Sequence, residues 1–239
     1  MKKTLLGAAA AVALTALPTL SHADLAFNAG VFTDYRFRGI SQTRLKPAVQ
    51  GGADYDINGF YVGAWASNIK WIKDAGGNAN VEIDIYGGYK GKVNEDLGYD
   101  VGVLTYQYPS NRLNPSANTT EVYGAVSFGP ATLKYSHSVT DLFGFVDSKN
   151  SGYLDLSAGF EVGPVTLTPH VGYQKVRHNG NASYTDFALT VSKDFDGIVL
   201  SASLVGTDTK RVNGVPAYVS PAGKNLGKGG LVLGLKTNF

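Results

Sequence analysis

The chain has 239 residues, no cysteine and a formal net charge of +2, from 21 Lys+Arg against 19 Asp+Glu. The absence of cysteine excludes disulfides and thiolate metal sites, and the small net charge gives no electrostatic basis for binding nucleic acid. Thirty glycines, 14 tyrosines and 11 phenylalanines, with only 17% charged residues, favour β structure with many turns.

The first 23 residues have the anatomy of a secretory signal peptide. Lys2 and Lys3 form a basic start, residues 5–17 are uncharged and apolar, and Ser21-His22-Ala23 provides a small-x-small cleavage site. The apolar stretch is shorter than the roughly 20 residues that a membrane-spanning helix needs. We predict cleavage after Ala23, which leaves residues 24–239 as a formally neutral exported protein.

Alternating, strand-like runs follow the leader at regular intervals. Each has roughly ten residues, the length of a tilted strand that crosses a bilayer. The predicted strands are 25–37, 48–57, 60–69, 80–90, 96–108, 119–128, 131–140, 152–162, 165–176, 183–193, 198–207 and 229–239.

The linkers between these runs alternate between short and long. The Asn58-Gly59 pair is typical of a type I′ hairpin turn, and Gly129-Pro130 and Gly163-Pro164 are equally short. The linkers 91–95 and 194–197 are also short. The others, near 38–47, 70–79, 109–118, 141–151, 177–182 and 208–228, are longer and polar. Short turns at one end and long loops at the other predict an all-β, membrane-spanning, up-and-down antiparallel barrel of about 12 strands.

The apolar face of the strands could be covered in two ways, by a second sheet in a β-sandwich or by lipid around a barrel. The opposite face is rich in Gly, Ser, Tyr, Asp and Glu, which suits a crowded, wet barrel interior better than a sandwich surface. Aromatic residues also fall at two heights of the apolar face, as in the girdles of outer-membrane barrels. These are Tyr55, Phe60, Tyr89, Tyr99, Phe128 and Phe160 near the short turns, and Tyr35, Phe37, Tyr135 and Tyr173 toward the long loops.

The last run ends on an aromatic residue. Leu231, Leu233, Leu235, Thr237 and Phe239 share the apolar face of this strand. A terminal aromatic residue on an alternating strand resembles the signal read by the barrel-assembly machinery of the bacterial outer membrane. Phe239 is therefore a candidate assembly signal, although it also completes the girdle near the short turns.

Essentially the whole chain after the leader resembles a known family, and the strongest motifs lie in its first half. The residues that carry the resemblance are Tyr35-Arg36-Phe37-Arg38-Gly39-Ile40-Ser41-Gln42, Lys46-Pro47-Ala48-Val49-Gln50-Gly51-Gly52, Gly59-Phe60-Tyr61-Val62-Gly63, Trp65-Ala66-Ser67-Asn68, Glu82-Ile83-Asp84, Tyr86-Gly87-Gly88-Tyr89 and Tyr106 with Tyr108-Pro109. Together they are similar to the TorF-type porin family of proteobacteria. The resemblance implies an outer-membrane β-barrel that acts as a pore, and it says more about the fold than about the solute.

The alternation places ten acidic and five basic side chains on the inner face. An acid-leaning lumen favours cations, because the low-dielectric wall focuses the field of the carboxylates. The alternative is that these acids pair across strands and fill the interior. The pore-lining candidates are Arg36, Arg38, Asp54, Trp65, Glu82, Asp84, Asp100, Glu121, Lys134, Asp155 and Asp186.

The long loops carry more lysine and arginine than acid, so lipopolysaccharide phosphates are candidate partners, while exposed lysines are also often simply solvated. The longest loop, 208–228, either folds over the mouth or stays mobile and exposed, and base rates favour the second.

Enzymatic signals are weak. His137 would face lipid while Ser136 and Ser138 face inward, so no hydrolase constellation forms. No second histidine shares the inner face near His170, and neither a metal nor a cofactor is expected. We predict an outer-membrane porin for small hydrophilic solutes or ions. A filled barrel with a structural or surface-recognition role, and less strongly a lipid-modifying enzyme, remain alternatives.

Overall fold

A computed structural model describes residues 24–239 of the chain. The predicted signal peptide, residues 1–23, lies outside these residues. Twelve long antiparallel strands dominate the fold. They are β1 Asp24–Phe32, β2 Ala48–Ile57, β3 Phe60–Asn68, β4 Val81–Lys92, β5 Leu97–Gln107, β6 Thr119–Phe128, β7 Ala131–Ser138, β8 Gly152–Ala158 with Phe160–Val162, β9 Val165–Lys175, β10 Tyr184–Phe195, β11 Ile198–Thr207 and β12 Gly230–Asn238.

The strands form a closed barrel. Each strand pairs with its neighbour in the chain, and β1 also pairs with β12, with Asn28 opposite Asn238 and Val31 opposite Leu235. Strand β8 is interrupted at Gly159, and both of its segments pair with β9. The predicted twelve-stranded antiparallel barrel is therefore confirmed.

The hairpin registers follow from the turn residues. Asn58 and Gly59 both have positive φ angles, 52° and 83°, as a type I′ turn requires. This turn places Ile57 opposite Phe60, and thereby puts the apolar residues of both strands on one face. A register shifted by one residue would have mixed the two faces.

The outer wall of the barrel is apolar. Phe60 and Leu204 are both 61% exposed, and apolar side chains on every strand share their orientation. A belt of this kind is the surface that a transmembrane barrel presents to lipid. Near the short turns, at the end of the barrel called periplasmic below, Tyr89 packs against Phe60 and Tyr99, with ring centroids 4.7 and 6.1 Å apart, which provides part of the aromatic girdle.

The prediction for residues 33–37 is wrong. Strand β1 ends at Phe32, and the chain then turns into the barrel, so that Tyr35 is buried and Phe37 packs against Tyr106 and Phe143 instead of lipid. Residues 36–41 then form a short hairpin of their own, in which Arg36–Phe37 pairs with Ile40–Ser41.

The remaining long loops cover the opposite end of the barrel, called the extracellular end below. They include a short helix, α1 Trp71–Asp74, a 3₁₀ turn, Gly180–Ala182, and a second small hairpin, Arg211–Val212 with Val215–Pro216. Buried apolar side chains of these loops, among them Ile69, Ile72 and Leu142, form small cores above the strands. In the range 24–239 no helix combines the length and apolar character needed to span a membrane.

Candidate functional site

The most distinctive feature of the interior is a loop that enters it. Residues 33–47, called the inward loop below, connect β1 to β2, and their hairpin lies inside the barrel. At its tip, Arg38 and Gly39 have positive φ angles of 46° and 78°. A Cβ atom on Gly39 would lie 2.6 Å from Thr207 Cγ2 and 2.8 Å from Asp186 Cβ, so only glycine allows the tip to approach β10 and β11 this closely.

The fold of the inward loop is centred on the buried carboxylate of Asp34. Ser41 and Thr43 donate hydrogen bonds of 2.6 and 2.9 Å from their hydroxyls to Asp34 Oδ1, and Arg36 Nε donates to Oδ2. Short polar side chains that bond to one another in this way stabilise a compact turn in place of a ladder. Asp34 thereby explains why the chain leaves the wall directly after β1.

Arg38 crosses the lumen and connects opposite walls. Its Nη1 and Nη2 donate to the two carboxylate oxygens of Glu121 on β6 at 3.0 and 2.7 Å, and Nη1 also donates to Gln174 Oε1 on β9 at 2.6 Å. The guanidinium lies 4.2 Å from the ring centroid of Tyr153 on β8. A buried bidentate ion pair with a cation–π contact fixes the loop tip in the middle of the barrel.

Strand β4, two strands away from β6 in the barrel wall, carries further buried acids. Tyr35 of the inward loop donates its hydroxyl to Glu82, and its ring meets that of Trp65 edge-on, with centroids 5.4 Å apart. Burial, and after it the Glu82 carboxylate, raises the pKa of Tyr35 well above its ordinary value, so Tyr35 stays a neutral donor. Asp84, two residues along the same strand, is also buried, and its Oδ1 accepts no hydrogen bond.

A second buried polar cluster lies on β8, β9 and β10. His170 Nδ1 is 3.0 Å from Asp155 Oδ2, and its Nε2 is 2.9 Å from Asp186 Oδ1. Tyr153 donates to Asp186 at 3.0 Å, which links this cluster to Arg38. Both imidazole nitrogens face carboxylates, an arrangement that suits the doubly protonated ring.

Residues 217–228 cover the extracellular side of the inward loop. The Ser41 N–H donates to the Leu226 carbonyl at 2.9 Å, and Arg36 donates to the carbonyls of Leu226 and Lys228 at 3.3 and 2.9 Å. Leu226 also packs against Ile40. The preference for a mobile, exposed loop is wrong for this part of 208–228, because its carbonyls and Leu226 are held by the inward loop.

The periplasmic half of the lumen contains ion pairs and hydrogen bonds between strands. Lys90 pairs with Asp56, Tyr61 donates to Asp100 at 2.6 Å, and the Lys134 ammonium lies 3.8 Å from the ring centroid of Tyr123. These aspartate and lysine side chains are only half-buried. This half is therefore the wetter part of the interior.

Three comparisons with known proteins bear on this architecture. A family model described as "Bacterial protein of unknown function (Gcw_chp)" matches residues 17–239. The chain belongs to this family. No curated protein matches it.

Two solved structures share the fold of this Gcw_chp chain. The "KdgM porin" matches with a TM-score of 0.57 at 8% identity, over 90% of this chain and 98% of that one. A structure of the "NanC porin" matches with a TM-score of 0.53 at 12% identity, over 90% of this chain and 99% of that one. At such identities the similarity shows the fold alone.

The sequence-predicted site residues of the Gcw_chp chain divide into two groups. Those on strands point into the lumen as the alternation requires; they are Asp54, Trp65, Glu82, Asp84, Asp100, Glu121, Lys134, Asp155 and Asp186. The alternation predicts Arg36 and Arg38 on the inner face of the first strand, whereas they belong to the inward loop. The roles of Tyr35, Tyr153 and Gln174 were missed, because they depend on where that loop goes. The pore-lining function of the sequence-predicted residues stays a prediction.

No cluster of three or more His, Asp or Glu side chains within residues 24–239 has the geometry of a metal site. Phe239, the candidate assembly signal, is exposed on the outer wall and stacks on Phe27 with centroids 6.0 Å apart.

Proposed function

We propose that the protein is an outer-membrane porin through which small hydrophilic solutes or ions diffuse passively, and that the inward loop forms its constriction. The observation that carries the proposal is a closed barrel with an apolar outer wall, a polar interior and a loop that narrows that interior at one level. Two porins share this fold, which supports the proposal.

Passage through such a barrel needs neither turnover nor an energy source, because the concentration gradient drives the flux. A solute from the periplasmic side first meets the half-buried charges of Asp56, Lys90 and Lys134, and then the buried ring around Arg38. Charged side chains on a low-dielectric wall select ions by sign. The acid-leaning composition of the interior favours cations.

Reconstitution into planar bilayers tests the proposal. We expect stable conductance steps in the presence of the purified protein, with a cut-off for larger solutes that is set at the constriction. Protein that is folded and inserted, as shown by its resistance to added protease, and that gives no steps would contradict a pore.

A filled barrel with a structural or surface-recognition role is the second candidate, and the packing across the lumen favours it. Arg38 and the carboxylate of Glu121 are both buried, so the interior at this level is occupied by side chains. Silence of the wild type together with silence of a variant that lacks the Arg38 side chain would support this candidate over a pore.

We also propose how the chain reaches the outer membrane and what it contacts there. The leader would be cleaved and the chain inserted by the barrel-assembly machinery, which would recognise the final strand with Phe239. The finer assignment within the outer-membrane barrels is the TorF-type porin family. Lipopolysaccharide would contact the basic extracellular loops, and we propose no nucleic-acid partner, cofactor or enzymatic activity.

A further inference from the structure

Two buried acids inside the barrel lack a counter-charge. Glu82 and Asp84 are two residues apart on β4, so both side chains project into the lumen. Glu82 is 1% exposed and Asp84 is 9% exposed. Among the residues that the structure describes, neither acid has a basic group within salt-bridge distance.

Arg38, the cation of the constriction, does not neutralise this pair. Its guanidinium hydrogens are directed to Glu121, to Gln174 and, at 3.5 Å, to the Tyr106 hydroxyl. The Glu121 carboxylate takes up the charge of Arg38 in a bidentate pair. Arg38 is thus committed to Glu121, and within residues 24–239 the two acids of β4 have no lysine, arginine or histidine as a direct partner.

Asp84 also presents an unused acceptor. Its Oδ1 is buried and accepts no hydrogen bond. Its cross-strand neighbours are Trp65 and Tyr106, and the Tyr106 hydroxyl is directed to Glu121 at 3.2 Å. A buried acceptor without a donor is unfavourable, and a cation beside it removes that cost.

We propose that Glu82 and Asp84 form a cation-selecting site within the constriction, whose ligands are small monovalent cations. The acids do not form a chelating cluster within the described residues, which argues against a tightly bound divalent metal. Weak binding of a monovalent cation is also what conduction requires, because the ion must leave as readily as it enters. As a statement about selectivity the proposal rests on the porin function, whereas cation binding can be tested without it.

Fluorescence quenching tests the binding. The chain has two tryptophans, so the variant Trp71→Phe leaves Trp65, directly across from Asp84, as the reporter. We expect Cs⁺ to quench Trp65 more strongly than iodide does at equal ionic strength. Asp84→Asn in this background should lower the Cs⁺ quenching constant about fivefold, since one unit charge at contact distance contributes about 1 kcal/mol even in water.

Asp196→Asn is the matched control. Asp196 is exposed in the periplasmic turn between β10 and β11, and the same substitution there should leave both quenching constants unchanged. Equal quenching by Cs⁺ and iodide, or no effect of Asp84→Asn, would overturn the proposal, including the case in which Asp84 is neutral because it is protonated.

Reversal potentials in a KCl gradient test the consequence for transport. We expect Glu82→Gln/Asp84→Asn to lower the ratio of K⁺ to Cl⁻ permeability, whereas the control Glu161→Gln/Asp196→Asn at the periplasmic rim keeps the wild-type ratio. Conductance with an unchanged ratio would refute the selectivity site while leaving the porin intact. A silent wild type would refute the porin, and the quenching result would then decide the cation site.

Discussion

The two halves of the barrel interior are built in different ways. Toward the extracellular side, side chains from opposite walls and from the inward loop bury one another, so that Glu121 is 1% and Asp186 2% exposed. Toward the periplasm the strands alone supply the lining, and Asp56 and Lys90 are only half-buried. The strands form the wall in both halves, so the difference comes from the loops at the extracellular end, above all the inward loop.

The charges of the two halves differ in the same way. In the periplasmic half, Asp56 pairs with Lys90 within the wall. Lys134 lies close enough to Asp100, and Lys236 to Asp54, for their charges to attract. In the extracellular half Arg38 is supplied by a loop, while Glu82 and Asp84 lie on the wall without a basic partner among the described residues. A loop can therefore determine both the width of a lumen and the sign of its charge, even where the strands around it are uniform.

The largest expected effect follows from removing the Arg38 side chain. Arg38→Gln breaks a buried ion pair, which typically costs about 3–5 kcal/mol, and should release the loop tip, so that single-channel conductance and cation preference both rise. Conductance in bilayers and the denaturant concentration at half-unfolding measure the two effects.

Arg44→Gln is the control for this change. Arg44 lies in the same loop with a positive φ of 59°, but it pairs with Asp74 of α1 and not with the barrel wall, so the conductance should stay near wild type. In Arg38→Gln/Glu121→Gln we expect part of the stability to return while the conductance stays high. Equal conductance in the Arg38 and Arg44 variants would show that the loop does not limit the flux.

A smaller effect is expected from Gly39→Val. The branched side chain would meet Thr207 and Asp186 and push the loop tip away from β10 and β11, which should raise conductance without changing any charge. Strain at a positive φ adds about 1–2 kcal/mol of destabilisation.

Gly76→Val separates the two contributions. Gly76 has a φ of +88°, and a Cβ there would meet nothing within 4 Å, so this variant has the backbone strain without the collision. We expect its conductance to match the wild type, and a rise similar to that of Gly39→Val would contradict the assigned role of the loop tip.

The smallest effect is expected in the periplasmic half. The half-buried pair of Lys90 and Asp56 should contribute only about 0–1 kcal/mol. A double-mutant cycle with Lys90→Met and Asp56→Asn, read by denaturant unfolding, measures this coupling. A coupling as large as that of Arg38 with Glu121 would remove the distinction between the two halves.

The sequence predicts the wall well and the contents of the lumen poorly, for a physical reason. Alternation and short turns such as Asn58-Gly59 determine register locally, so the inward orientation of Glu121 and Asp186 follows from the sequence. The path of residues 33–47 depends on distant partners, and the run from Val31 to Phe37 alternates as well as any strand. The sequence contains two indications that the chain turns here. These are the short polar residues Asp34, Ser41 and Thr43, which favour turns, and Gly39.

The position of the inward loop in the chain also has a consequence for the order of assembly. It follows the first strand, yet its partners come much later: Glu121 is 83 positions from Arg38, Gln174 is 136, and Leu226 is 190 from Arg36. Contacts of such long range form late, because the intervening chain must first be ordered. The pairing of β1 with β12 joins residues still farther apart, such as Asn28 and Asn238. We therefore expect closure of the barrel and filling of its centre to belong together, late in folding.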